Sequence, residues 1–293
     1  MAGSRWRNNA FAWILLLPSL VILALFTFYP IFLTLRLSLF QADLAAPEPL
    51  FVGWDNFRRL AEDEVFKKVM GNNTIFALGT VPTGIALALF MAVFANKMMR
   101  GRGFMRTAFF YPTLIPMIAV ANIWLFIYTP EYGLVSRLLS WTGQAELNWL
   151  GTPGLVLWAM IIMIIWKEAG YFMIFYLAGL QNIPKELYEA AQMDGVGSFT
   201  VFRKITFPLL MPTTLFVSIV ALTNAFKLVD HLMIMTRGGP NNSSNLLLYY
   251  IYETAFSFWD QGMASALTVV MIGLLLLFAA VQFFGLDKRI HYH

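Results

Sequence analysis

The sequence predicts an all-α integral membrane protein with six transmembrane helices, and three observations predict it. Hydrophobic residues are 59% of the chain and charged residues only 12%, against roughly 25% charged in soluble domains. Such a chain has too little polar surface to cover a water-facing globule. Six long uncharged stretches are set apart by charged segments. Finally, the basic and acidic segments fall on opposite sides of those stretches, as loops on the two faces of a bilayer do.

A transmembrane helix needs about 20 mostly apolar residues, and the spans read in order as follows. The first, 10–35, follows Arg5 and Arg7. Its apolar run is too long for a usual signal core and has no small-residue cleavage site before Tyr29-Pro30, so it reads as a retained helix. Between it and span two (74–96), the polar segment Phe51 to Asn73 carries Trp54, Phe57, Leu60, Val65 and Phe66. That mixture predicts short helices along the interface. Span three is 107–129. Span four, 153–181, holds Lys167 and Glu168 near its middle, and spans five and six are 206–229 and 262–285. No long Pro- or Ser-rich linker, low-complexity tract or repeat interrupts them, so residues 1–293 read as a single transmembrane domain.

Six spans put both ends on one side. That side carries Arg5, Arg7, Lys97, Arg100, Arg102, Arg106, Lys185, Arg203, Lys204, Lys288 and Arg289. Asp43, Glu48, Asp55, Glu62, Asp63, Glu64, Glu131, Glu146, Asp230, Glu253 and Asp260 fall on the other. The loop Asn96 to Arg106 alone has four basic residues and no acid. The positive-inside rule places both termini in the cytoplasm. There is no cysteine, hence no disulfide, thiolate metal site or cysteine nucleophile. The histidines His231, His291 and His293 have no metal-ligand spacing, and no dense basic patch points to nucleic acid. The composition offers no catalytic constellation, so the chain is not expected to be an enzyme.

The segment 183–205, on the cytoplasmic side, is the most informative. Pro184 suits a first helical turn, and Leu187, Ala190, Ala191 and Asp194 share one face at helical spacing. Gly195 stops that helix, Ser198 can cap a second from Phe199 to Ile205, and Pro208 limits it. On spacing alone, this helix–turn–helix is either a plain connector or a docking element whose small Ala190-Ala191 step admits a close partner.

The residues themselves decide more. Glu189-Ala190-Ala191, then Asp194-Gly195, then Ile205 and Pro208 resemble the EAA loop of bacterial binding-protein-dependent ABC importer permeases. Further segments are similar to the sugar and glycerol-phosphate branch related to the maltose permeases. These are Gly53-Trp54-Asp55-Asn56-Phe57, Pro112 with Pro116 and Trp124, Leu177 to Pro184, Thr236-Arg237-Gly238-Gly239-Pro240 and Glu253-Thr254-Ala255-Phe256. The chain departs from the family at Arg237, where glycine is usual, at Val196, where alanine is common, and at Phe207, where leucine is frequent.

The resemblance implies a type I importer permease of the bacterial inner membrane, with a cytoplasmic coupling loop that inserts into an ATPase subunit. It also implies the partners: a second permease chain, two copies of a cytoplasmic ATPase and an extracytoplasmic solute-binding protein. The sequence has no Gly-x-x-x-x-Gly-Lys-Ser/Thr loop. ATP and magnesium are therefore expected on the partner ATPase, and no cofactor on this chain.

Polar residues inside spans are the default pathway candidates, since a charge at mid-bilayer costs about 2.5–3.5 kcal/mol on insertion scales. Lys167, Glu168 and Tyr171 in span four, and Thr223, Asn224, Lys227, Asp230 and His231 in span five, form two such groups, with Asn122 in span three a third. Trp124, Trp166 and Tyr171 are candidates to stack on a sugar face. Two readings stand side by side: a solute-lining cavity, or pairs such as Lys167 with Glu168 and Lys227 with Asp230 that neutralise each other. The competing function is an ion-gradient transporter, in which those pairs form a proton relay.

Overall fold

The computed structural model of the chain describes residues 2–42, 48–97, 101–140 and 147–286. Of the charges used for orientation, Asp43, Arg100, Glu146, Lys288 and Arg289 lie outside the described residues, as do His291 and His293. By its internal contacts the chain divides into two compact units, 1–63 with 251–272 and 64–250 with 273–293.

The first unit begins with α1 (Ala2–Leu23), a π-helical turn Ala24–Phe28 and α2 (Tyr29–Leu37) in one line. The wide turn has a local cause. Pro30 has no N–H and its ring would strike the carbonyl of Phe26 in a regular helix. The residue before it, Tyr29, instead donates to Ala24 O, five residues back. Phe11–Leu37 is long and apolar enough to cross a bilayer, and none of it is buried. A two-residue antiparallel ribbon follows, β1 (Phe40–Gln41) with β2 (Leu50–Phe51), and then α3 (Asp55–Glu62). Asn56, buried, fastens α3 by donating to Ser38 O and Phe40 O, each at 2.9 Å. Gln261 N and Gly262 N donate to Ala42 O, which anchors the start of α15 (Gln261–Leu286) in this unit.

The second unit is built on α4 (Glu64–Lys97) and α8 (Val156–Gln181), the most extensively packed helix pair, with α12 (Met211–Lys227) against both. Ala88, Ala92 and Ala95 of α4 meet Met173, Tyr176 and Leu180 of α8, with Val217 and Ala221 of α12 completing the cluster. Small residues at these contacts let helix backbones approach, which is how spans associate where lipid removes the hydrophobic drive. At Gly170 the approach is closest: a Cβ there would strike the carbonyl oxygen of Phe109 in α5 (Arg102–Leu114).

Three features differ from the sequence expectation. Span two begins ten residues early, because α4 continues through Glu64, Lys67 and Lys68 as one 34-residue helix, about 51 Å long at 1.5 Å per residue. Only α3 remains as a separate short helix. The third span is broken: α5 and α6 (Met117–Ile127) meet at 96° across Ile115-Pro116. Proline excludes the helical region for the residue before it, and Ile115 is extended, with ψ 129°. The short α7 (Leu134–Leu139) follows α6; among the described residues five helices can cross a membrane singly, and six spans result when the bent pair is counted as one. The fifth span also breaks, at Leu228 (ψ 114°), before α13 (Asp230–Met235).

Between α13 and α14 (Leu247–Phe256) runs a compact loop whose Arg237, Gly238, Asn241 and Asn242 have φ between 48° and 79°. The head of α4 holds it. Asn72 Nδ2 donates to Asn242 O and Asn245 O (2.7 and 2.9 Å), Lys68 Nζ to Asn241 O (2.5 Å), and Leu247 N to Asn73 Oδ1 (2.7 Å).

Candidate functional site

Two places in the second unit collect the candidate residues. The first is the hairpin of α9 (Lys185–Met193) and α10 (Ser198–Val201). Its turn is a complete Schellman motif: Gly195 N donates to Gln192 O (3.1 Å) and Val196 N to Ala191 O (3.0 Å). Gly195 adopts φ +67°, a conformation that carries no Cβ penalty only for glycine. The second helix starts one residue earlier than its composition suggests, with Gly197 at the cap position and no side-chain cap from Ser198. It then passes into a π-helical turn, Phe202–Thr206, closed by Phe207 N on Phe202 O, and runs on as α11 (Phe207–Leu209). Pro208 therefore does not limit it as its position suggests: the wide turn absorbs the missing N–H. The same proline logic shapes Tyr29-Pro30.

Glu189, Ala190, Asp194, Gly195 and Pro208 are exposed, Ile205 is half-buried and Ala191 is buried. Ala191 therefore faces inward, and of the Ala190-Ala191 step only Ala190 is open to a partner. Exposure on this hairpin is unusually apolar: Met193 is 88% and Phe199 75% exposed. A groove of about 850 Å³ lies beneath, lined by Tyr188, Gln192, Val196, Phe199, Phe202 and Thr206 among others, with Tyr188 Oη and Thr206 Oγ1 sharing a hydrogen bond of 3.2 Å. Nothing in the sequence singles out Met193 and Phe199, since Leu187, Val196, Val201 and Phe202 of the same segment are apolar too.

The second place is a cavity of about 470 Å³ where the α5–α6 elbow meets α8 and α12. It brings together Lys167, Glu168, Tyr171 and Asn224 from the sequence candidates. Lys167 Nζ donates to Pro112 O (3.0 Å), Thr113 O (2.8 Å) and Ile115 O (2.6 Å). These carbonyls belong to the last turn and cap of α5, where Pro112 O also accepts from Ile115 N (3.4 Å) and where the negative end of the helix dipole lies. An ammonium has three N–H donors, and all are engaged on the elbow. Thr113 Oγ1 returns a bond to Lys167 O at 3.3 Å. Glu168 Oε1 accepts from Asn224 Nδ2 at 3.1 Å, which ties α8 to α12.

Neither Lys167 with Glu168 nor Lys227 with Asp230 forms an ion pair among the described residues. The other candidates lie elsewhere. Asn122 is exposed and donates to Ile118 O of its own helix (2.8 Å); Thr223 donates to Ile219 O (2.8 Å). Trp124 packs edge-on against Trp166 (5.7 Å) in a separate apolar recess with Tyr128 and Trp149. Lys227 and Asp230 are exposed on either side of the break in span five, so the polar stripe foreseen there is not one helix face. His231 turns inward, fully buried against Phe76 with ring centroids 6.0 Å apart. Sequence reasoning missed the carbonyls of Pro112, Thr113 and Ile115; the available signal was Pro116 inside an apolar run.

Comparison with known proteins bears on both places. The sulfoquinovosyl glycerol transport system permease protein SmoG of Agrobacterium fabrum is 33% identical, over 95% of this chain and 92% of its own. The trehalose/maltose transport system permease protein MalF of Thermococcus litoralis is 32% identical over 94% of each. In a crystal structure of a bacterial ABC transporter that imports the acidic polysaccharide alginate, one chain shares the fold, with TM-score 0.84 and 23% identity over 97% of this chain and 99% of that one. The family model for the binding-protein-dependent transport system inner membrane component matches residues 81–292, a stretch that includes the hairpin and the cavity. With its multi-pass helical fold, the chain is a permease of that family, the membrane component of binding-protein-dependent ABC transport systems.

Proposed function

We propose that the chain is one of two permease subunits of an ATP-driven importer for a sugar, sugar derivative or related polyol or glycerol-phosphate-type solute. The α9–α10 hairpin is its coupling element, received by a separate cytoplasmic ATPase present in two copies. The other permease half is a different chain, and an extracytoplasmic binding protein delivers the solute. ATP and magnesium act on the ATPase, in the bacterial inner membrane, with both termini of this chain cytoplasmic. The observation that carries the reading is the hairpin itself. Glu189, Asp194 and Gly195 frame a rigid turn that holds Phe199 and Met193 in the open, outside every candidate span. Exposed aromatic anchors on a fixed scaffold are what a protein partner's pocket requires. The solute class rests on the relatives' sugar substrates and on the polar cavity of α5, α8 and α12. A Lys167–Glu168 proton relay, the basis of the gradient-driven alternative, loses its geometry because the ammonium is engaged by carbonyls.

Gentle solubilisation of membranes containing the tagged chain, followed by mass spectrometry of co-purifying proteins, tests the assembly. An ATPase and a second permease are expected, with recovery of the ATPase reduced by Phe199→Asp. Recovery of the chain alone or only as a homo-oligomer would overturn the reading.

A further inference from the structure

We infer that this chain's part of the translocation path takes an uncharged polyhydroxyl solute and offers no site to an anionic one. The inference rests on the importer reading above and narrows its solute class. Of the twelve residues lining the cavity at the elbow, two are charged, Lys167 and Glu168. Lysine close to a transport path suggests an anion site, since an ammonium binds phosphate or sulfonate through its N–H groups. Here every N–H of Lys167 already points at a backbone carbonyl, at 2.6–3.0 Å. An anion would have to displace the carbonyls that end α5, leaving the half-buried Thr113 O and Ile115 O without their donor. The other charged group of the lining, Glu168, repels an anion.

Glu168 is half-buried, and only one of its oxygens is bonded, to Asn224. Glu168 Oε2 has no hydrogen-bond partner among the described residues. A carboxylate accepts hydrogen bonds and an amide oxygen accepts them too, so Glu168 and Asn224 together present acceptors suited to solute hydroxyl groups. Tyr171, about a third exposed, lines the same cavity and supplies a ring face against which a sugar's C–H face can lie. Acceptors plus an aromatic face, with no free cation among the lining groups, match a neutral sugar or polyol. Lys167 acts as a positioning residue for the elbow and does not touch solute.

The test uses the complete complex of both permeases, ATPase and binding protein, reconstituted in proteoliposomes. These are exposed to a mixture of uncharged probes (maltose, trehalose, glycerol) and anionic ones (sn-glycerol 3-phosphate, galacturonate), and the accumulated species are identified by mass spectrometry. ATP-dependent accumulation confined to uncharged probes is expected. Accumulation of an anion, or failure of any uncharged probe to accumulate, overturns the inference. ATP-dependent uptake of an anion alone would leave the importer reading standing, whereas ATP-independent uptake would sink that reading as well. With the transported probe, Glu168→Gln is expected to raise KM about tenfold with little change in maximal rate, as loss of hydrogen bonds to a charged acceptor does. An unchanged KM in that variant overturns the assignment of Glu168.

Discussion

Replacement of Lys167 by Met removes the group that closes the α5–α6 elbow, and the structure sets the size of the effect. Three hydrogen bonds from a charged donor to Pro112 O, Thr113 O and Ile115 O are lost. Each contributes about 1.5–3 kcal/mol. The gain is smaller than their sum, because taking an ammonium out of water costs several kcal/mol. Methionine removes that penalty while leaving Thr113 O and Ile115 O unpaired, so a net loss of about 2–4 kcal/mol is expected. Thermal denaturation of the purified complex in detergent, followed by loss of the monodisperse species, should show a midpoint lower by roughly 3–7 °C for a chain of this size. Lys167→Arg should fall between, since a planar fork cannot reach three converging carbonyls as an ammonium does. A midpoint within about 1 °C of the unmodified protein would refute the clamp. Loss of uptake in Lys167→Met would follow from the displaced elbow alone and would not by itself identify a solute contact.

Three further outcomes are expected. Gly195→Ala forces a Cβ into φ +67° at about 1–2 kcal/mol, although open space surrounds it; ATP hydrolysis per solute moved should rise as the hairpin loosens, with Gly195→Asn milder. Unchanged stoichiometry in Gly195→Ala would argue against the turn as a coupling element. Asn73→Ala strips the acceptor from Leu247 N, and that buried donor left unpaired should lower stability by about 1–3 kcal/mol in denaturant titration. Gly170→Ala drives a methyl group into the carbonyl of Phe109, and should cut the folded fraction seen by size-exclusion chromatography, whereas Ala at Gly154, where no atom lies within 4 Å of a built Cβ, should not.

The sequence by itself determined what depends on neighbouring residues. Hydropathy pointed to the bilayer and to six apolar spans, of which five stand as single helices long enough to cross it among the described residues, because a helix in lipid is defined by its own apolar length. Gly195 marked the turn of the hairpin, since a positive φ is set within one residue, whereas Pro208 did not end the second helix, which runs on to Leu209. Pro116 was legible too, yet an apolar run on both sides made 107–129 read as one straight span. What tertiary structure alone decided is which polar group meets which. Lys167 and Glu168 are adjacent and look like a pair, but neighbours on a helix point about 100° apart. Lys167 turns to carbonyls 52 to 55 residues earlier in the chain, and Glu168 to Asn224, 56 residues later. Thr223, Lys227 and Asp230 look like one stripe until Leu228 goes extended and the stripe divides. Spacing along the chain carries no record of which helix faces arrive opposite one another, and in this protein that arrival turns a lysine from a solute candidate into the clamp of a broken helix.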